Sequence, residues 1–245
     1  MSTVTLGVLL MCTFPAGATA GQETKTILFL GDSLTAGYGL LPEESFPSLI
    51  ARRLKEGDLP FEVINAGVPG DTSAGGVRRI DWMLRRRVDI LVLELGANDM
   101  LRGLPLDMTR DNLQAIIDKT RAAYPNVKIV VTGMLAPPNM GPEYTAEFGE
   151  IFPALAEAND AALIPFLLQD VAARPELNLP DGVHPNVAGQ QIVADGVWMV
   201  LEPLVVALAG GLSSTVSSVV NAVRAPVVAI SADRAQGGEV SGGAR

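Results

Sequence analysis

A chain of 245 residues is long enough for one α/β domain with a sizeable core plus terminal extensions. Its 48% hydrophobic and 18% charged residues exclude wholesale disorder and give no reason to invoke a membrane bundle, so the class is soluble and globular. The net charge of −9 argues against a nucleic-acid partner, which would need a basic patch. The dense basic cluster, Arg85-Arg86-Arg87, reads as the end of a helix, serving its C-terminal dipole and solubility.

Residues 1–20 contain no charged side chain, carry an apolar run from Val4 to Phe14 and end in Ala18-Thr19-Ala20, a small-x-small pattern. A cleaved export signal followed by a periplasmic or secreted chain is expected, although the basic n-region is missing. The run is too short to span a bilayer. Cys12, the only cysteine, falls inside this segment, so the mature chain would hold no disulfide. Leu10-Met11 before it do not fit a lipid-anchor signal.

Five apolar, β-branched runs follow at even spacing: Thr26–Leu30, Phe61–Ile64, Ile90–Leu95, Lys128–Thr132 and Ala162–Leu167. They read as buried parallel strands. Between them lie helical patterns such as Phe46, Leu49, Ile50 and Leu54, or Leu113, Ile116 and Ile117, with Asp107 or Thr109 as caps. Alternating strands and helices predict a three-layer α/β/α sandwich on a five-stranded parallel sheet. The last helix is predicted over Val187–Leu208. The domain would thus fill residues 21–209, and residues 210–245, rich in Gly, Ser, Ala and Val, read as a low-complexity, disordered tail in which 213–223 can form a short helix.

Ligands in such folds sit beyond the carboxyl ends of the strands, so chemistry is sought there. After the first strand comes Gly31-Asp32-Ser33-Leu34-Thr35-Ala36-Gly37, which would hold the Ser33 hydroxyl at the rim or, alternatively, use Ser33 as a helix cap. The turn has neither a Gly-x-Gly-x-x-Gly nor a Lys-Ser/Thr ending, so a nucleotide loop is disfavoured.

His184, the only histidine, stands in Asp181-Gly182-Val183-His184-Pro185-Asn186 before the last helix. A reactive serine needs a base that titrates near neutrality, and only histidine supplies one unperturbed. Asp181, three residues earlier, could accept the ring proton; the alternative is an ordinary Asp-Gly turn. Asn65–Ser73 after the second strand and Gly96-Ala97-Asn98-Asp99 after the third offer oxyanion donors in the Gly70 N–H and the Asn98 amide, though both residue types also form turns.

These four segments, Gly-Asp-Ser-Leu, the Gly70 loop, Gly-Ala-Asn-Asp and Asp-Gly-Val-His, resemble the four signature blocks of the SGNH, or GDSL, hydrolases over residues 26–208. Gly70–Ser73, Leu101-Arg102-Gly103 and His184-Pro185-Asn186 are most similar to the bacterial arylesterase and acyl-CoA thioesterase I group. The resemblance implies a flavodoxin-like sheet and hydrolysis of acyl esters or thioesters without metal or cofactor. It also implies Ser33 as nucleophile, His184 and Asp181 as its partners, and Ser33, Gly70 and Asn98 as the oxyanion hole. Loops around Leu104-Pro105-Leu106 and Met134–Met140 are expected to line an acyl pocket. A carbohydrate O-acetylesterase and a binding module without turnover are the alternatives on this scaffold.

Overall fold

The computed structural model describes residues 23–210. Strands β1 (Lys25–Gly31), β2 (Phe61–Gly67), β3 (Ile90–Glu94), β4 (Lys128–Thr132) and β5 (Ala162–Ile164) pair in parallel in the order β2-β1-β3-β4-β5. Ile27–Leu30 on β1, Ile90–Leu93 on β3 and Ile129–Val131 on β4 are all buried. Strands covered on both faces read as continuous apolar runs, which is why they are visible in the sequence. At the edge, β2 is mostly half-exposed and admits Glu62 and Asn65.

The helices are α1 (Ser33–Ala36), α2 (Phe46–Glu56), α3 (Ser73–Met83), α4 (Ala97–Leu101), α5 (Leu106–Ala123), α6 (Pro142–Ala158) and α7 (Val187–Leu208). Packing of α2 on α7, and of α3 on α5 and α5 on α6, makes two helical layers, as right-handed crossovers in this strand order require. In α2, Phe46, Leu49, Ile50 and Leu54 recur at helical spacing and are buried. Phe46 meets Phe29 of β1 edge-on at a centroid distance of 5.6 Å. Each such side chain removed from water contributes on the order of 1.5–3 kcal/mol.

Several boundaries differ from the sequence reading. β5 stops at Ile164 rather than Leu167, because Pro165 has no N–H to continue the ladder. β2 continues through Asn65-Ala66-Gly67, so the second motif starts inside the strand. Neither Asp107 nor Thr109 caps α5: Pro105 holds that position, and the Thr109 hydroxyl turns back to the Pro105 carbonyl and Asp99. The arginine cluster lies past the end of α3, where Arg87 pairs with Glu23 and Asp89 and Arg86 with Glu62. Ion pairing thus accounts for Arg86 and Arg87.

By length and composition α7 could cross a membrane. Its stripe of Val193, Val197, Leu201 and Val205 is buried in the domain core, while Val187 and Met199 are exposed. The expected export signal, Cys12 and the stretch from 211 onward, including the helix expected at 213–223, lie outside the described residues.

Candidate active site

β1 ends at Gly31, and the chain turns into the single-turn helix α1. Asp32, not Ser33, is the cap: its Oδ1 accepts from Leu34 N at 2.9 Å. The serine hydroxyl is therefore left for other partners. Gly31 is needed here because a Cβ would fall 2.0 Å from Thr35 Oγ1 and 2.4 Å from Glu94 Oε2.

On the opposite side of the rim, residues 179–186 form a braced loop. Leu179 N donates to the His184 carbonyl at 2.7 Å, and Asn186 caps α7 by accepting from Gly189 N at 3.0 Å. Asn186 Nδ2 also donates to the Glu176 carbonyl at 2.9 Å, tying the loop to the turn before it. Inside this loop Asp181 Oδ1 accepts from the N–H groups of Val183 and His184 at 2.9 and 3.0 Å. Its Oδ2 lies 2.8 Å from His184 Nδ1. Backbone donation by His184 and Val183, followed by the ring bond, holds the Asp181 carboxyl down to about 2.

His184 Nε2 then lies 2.9 Å from Ser33 Oγ. The tautomer that satisfies both bonds carries its proton on Nδ1, donating to Asp181 and accepting the serine hydroxyl. The Tyr38 ring covers the imidazole at a centroid distance of 4.6 Å.

The loops after β2 and β3 complete the rim. Gly70 has φ +77°, a left-handed conformation that suits glycine, and its carbonyl accepts from Arg102 Nη2 at 2.7 Å. Asn98 at the start of α4 donates from Nδ2 to Asp32 Oδ2 at 2.9 Å. Arg79 of α3 braces these loops from behind. Its guanidinium donates to Asp71 Oδ2 at 2.7 Å, to the Ala66 carbonyl of β2 at 2.7 Å and to the Gly31 carbonyl of β1 at 2.9 Å.

The structure thus brings Ser33, His184 and Asp181 into one hydrogen-bonded line, with Asn98 joined to it through Asp32 and Gly70 on the neighbouring loop. An alcohol bonded to an imidazole that is backed by an ionised carboxylate is equipped for nucleophilic attack. The expected pocket loops are only partly available. Leu106, Met134 and Ala136 are buried in the core, while Leu104 and Met140 are partly exposed and Pro105, Leu135 and residues 137–139 are exposed.

Sequence reasoning passed over Asp32, Arg79, Tyr38 and Glu94. For Glu94 a signal existed: a charge in the middle of Ile-Leu-Val-Leu-Glu-Leu, a run otherwise fit for a buried strand, demands partners.

Residues 29–192 match the GDSL-like Lipase/Acylhydrolase family. The chain is 36% identical over 187 residues to Esterase TesA of Pseudomonas aeruginosa, covering 76% of this chain and 92% of that one. It is 35% identical over 198 residues to Thioesterase 1/protease 1/lysophospholipase L1 of Escherichia coli, covering 80% and 90% of the two chains. Among solved structures it superposes on the psychrotrophic esterase EstA from Pseudoalteromonas sp., inhibited by monoethylphosphonate, with a TM-score of 0.69 at 35% identity, covering 73% and 97% of the two chains. The fold, the order of the motifs and these likenesses agree: the chain belongs to the GDSL-like lipase/acylhydrolase, or SGNH hydrolase, family.

Proposed function

We propose that this member of the family hydrolyses carboxylic esters or thioesters of small acyl or aryl groups, with Ser33 as nucleophile, His184 as base and Asp181 as its orienting partner. The observation that carries the reading is the continuous line Ser33 Oγ, His184 Nε2, His184 Nδ1, Asp181 Oδ2, with spacings of 2.9 and 2.8 Å across the ring. The names of the relatives, an esterase and a thioesterase, agree with this substrate class.

In the first half-reaction His184 Nε2 takes the hydroxyl proton while Ser33 Oγ bonds to the carbonyl carbon. The carbonyl oxygen becomes an oxyanion, met by the N–H groups of Ser33 and Gly70 and by the Asn98 amide. Collapse expels the alcohol or thiol, protonated by the imidazolium, and leaves an acyl group on Ser33. Water, deprotonated by His184, then releases the acid and restores the hydroxyl. Every step uses protein groups and water alone.

The experiment is hydrolysis of p-nitrophenyl and CoA esters from two to sixteen carbons by the wild type and by Ser33→Ala. Turnover that survives in purified Ser33→Ala disproves the reading. The chain-length profile, and the same assay on acetylated sugars, separates acyl and aryl esters from sugar acetates. Export, with cleavage after Ala20, is part of the proposal and rests on the composition of residues 1–20.

A further inference from the structure

Beneath Ser33 lie two buried carboxyl groups that the acyl-transfer steps do not use. Asp32 and Glu94 are each 1% exposed. Glu94, on β3, accepts at Oε2 from the Asp32 N–H at 3.1 Å and from the Thr35 hydroxyl at 2.6 Å. Its Oε1 has no hydrogen-bond partner among the described residues. Asp32 in turn accepts at Oδ1 from Leu34 N and at Oδ2 from Asn98 Nδ2. A chain of bonds therefore runs from β3, through the turn that carries Ser33, to the Asn98 amide on α4.

That chain constrains Asn98. A side-chain amide nitrogen has two hydrogens fixed in its plane. One is committed to Asp32, so the direction of the other is set by Asp32 and not by solvent. Leu34, not Ser33, supplies the backbone N–H to Asp32 Oδ1, which keeps the Ser33 N–H out of the bond that caps α1.

Resting on the triad reading above, we propose that Asp32 is a positioning residue for the oxyanion hole: its Oδ2 holds the Asn98 amide so that the second N–H meets the oxyanion formed on attack by Ser33, and Glu94 holds Asp32 in place. Preorganised donors of this kind act because they need no reorientation when charge develops.

The electrostatics fit this role. Burial pushes Asp32 up to about 6, and burial together with the charge of Asp32 pushes Glu94 well above the carboxylate range. Both shifts disfavour two adjacent buried charges, and the Glu94 Oε1 that accepts no hydrogen bond leaves Asp32 held through Oε2 alone. The Asp32 carboxylate also attracts the imidazolium that His184 becomes in the same step.

A plain helix cap would give Asp32 the same bond to Leu34, and substitution separates the two roles. In Asp32→Asn the residue can still cap through its carbonyl, but an NH₂ group then faces Asn98. In Asp32→Ser the hydroxyl restores an ordinary cap and cannot hold Asn98.

Both variants and Asn98→Ala are assayed with a p-nitrophenyl ester beside Ser33→Ala, and each is melted. The expected result is a kcat lower by about 10²-fold in both Asp32 variants with KM within threefold, and cooperative melting retained. Combining Asp32→Ser with Asn98→Ala is expected to cost no more than threefold beyond Asn98→Ala alone, because both remove one donor. A kcat within threefold of wild type in Asp32→Ser, losses that multiply in the double variant, or loss of the cooperative melt in both Asp32 variants each overturns the proposal. Turnover by Ser33→Ala would instead remove the acyl-transfer reading on which it rests.

Discussion

Asp99 of α4 takes both donors of Ser73 at the start of α3, the N–H at Oδ2 at 2.8 Å and the hydroxyl at Oδ1. The residue after Asn98 is thereby tied to the loop that contains Gly70, so the two side loops of the site cannot shift independently. Ser73→Ala removes the hydroxyl and leaves buried Asp99 Oδ1 with Thr109 alone, at 3.4 Å. The expected cost is about 2 kcal/mol in urea unfolding. A loss below roughly 0.5 kcal/mol would show that this tie does not brace the loops.

His184→Ala is expected to remove the base and lower kcat/KM by about 10³-fold or more, and Asp181→Asn to lower kcat by about 10²–10⁴-fold through loss of the ring orientation. Steady-state kinetics on folded protein test the order. Near wild-type kcat in Asp181→Asn would reduce Asp181 to a turn residue.

For Asn98→Ala the expected loss is about 10²–10³ in kcat, roughly 3–4 kcal/mol, with KM nearly unchanged, since the amide meets charge that exists only in the transition state. If Asn98 only shapes its turn, melting temperature falls and kcat per folded molecule stays within threefold.

The carboxyl groups give opposite pH signatures in stability. Asp181, held down to about 2, contributes stability that is present above the ordinary carboxylate range and is lost as pH falls through about 2. The melting-temperature gap between wild type and Asp181→Asn should narrow from pH 5 to pH 2. Asp32, pushed up to about 6, works the other way: relative stability is present below the ordinary value near 3.8 and lost as pH rises through about 6. The melting temperature of Asp32→Asn should therefore move in the variant's favour, relative to wild type, between pH 4 and pH 7. A gap independent of pH would show that Asp32 ionises as it does in the unfolded chain.

If residues 1–20 are an export signal, intact mass of protein recovered from the host's periplasm or medium should begin at Gly21. Full-length chain retained in the cytosol would count against it.

The sheet was legible because β1, β3 and β4 are covered on both faces and therefore unbroken in apolarity. Their ends were less so, since termination depends on single residues such as Pro165. Ser33 and His184 stood out through a short motif and a solitary histidine. The bracing did not, because it works through space: Asp32 meets Glu94 across 62 positions and Arg79 meets the Gly31 carbonyl across 48, separations at which neither residue has a local pattern. Asp32 lies inside the Gly-Asp-Ser-Leu motif, but its partners Glu94 and Asn98 are 62 and 66 positions away.

Ser33 and His184 lie 151 residues apart, on the first turn of the domain and just before its last helix. No contiguous fragment that lacks either end can contain the line, so under the proposed mechanism hydrolysis requires both ends of the domain. Closing so long a loop is among the slow, entropically costly events of folding. Regained turnover on refolding is then a clock for the arrival of α7 against α2, which spectroscopic signals from earlier helices would run ahead of.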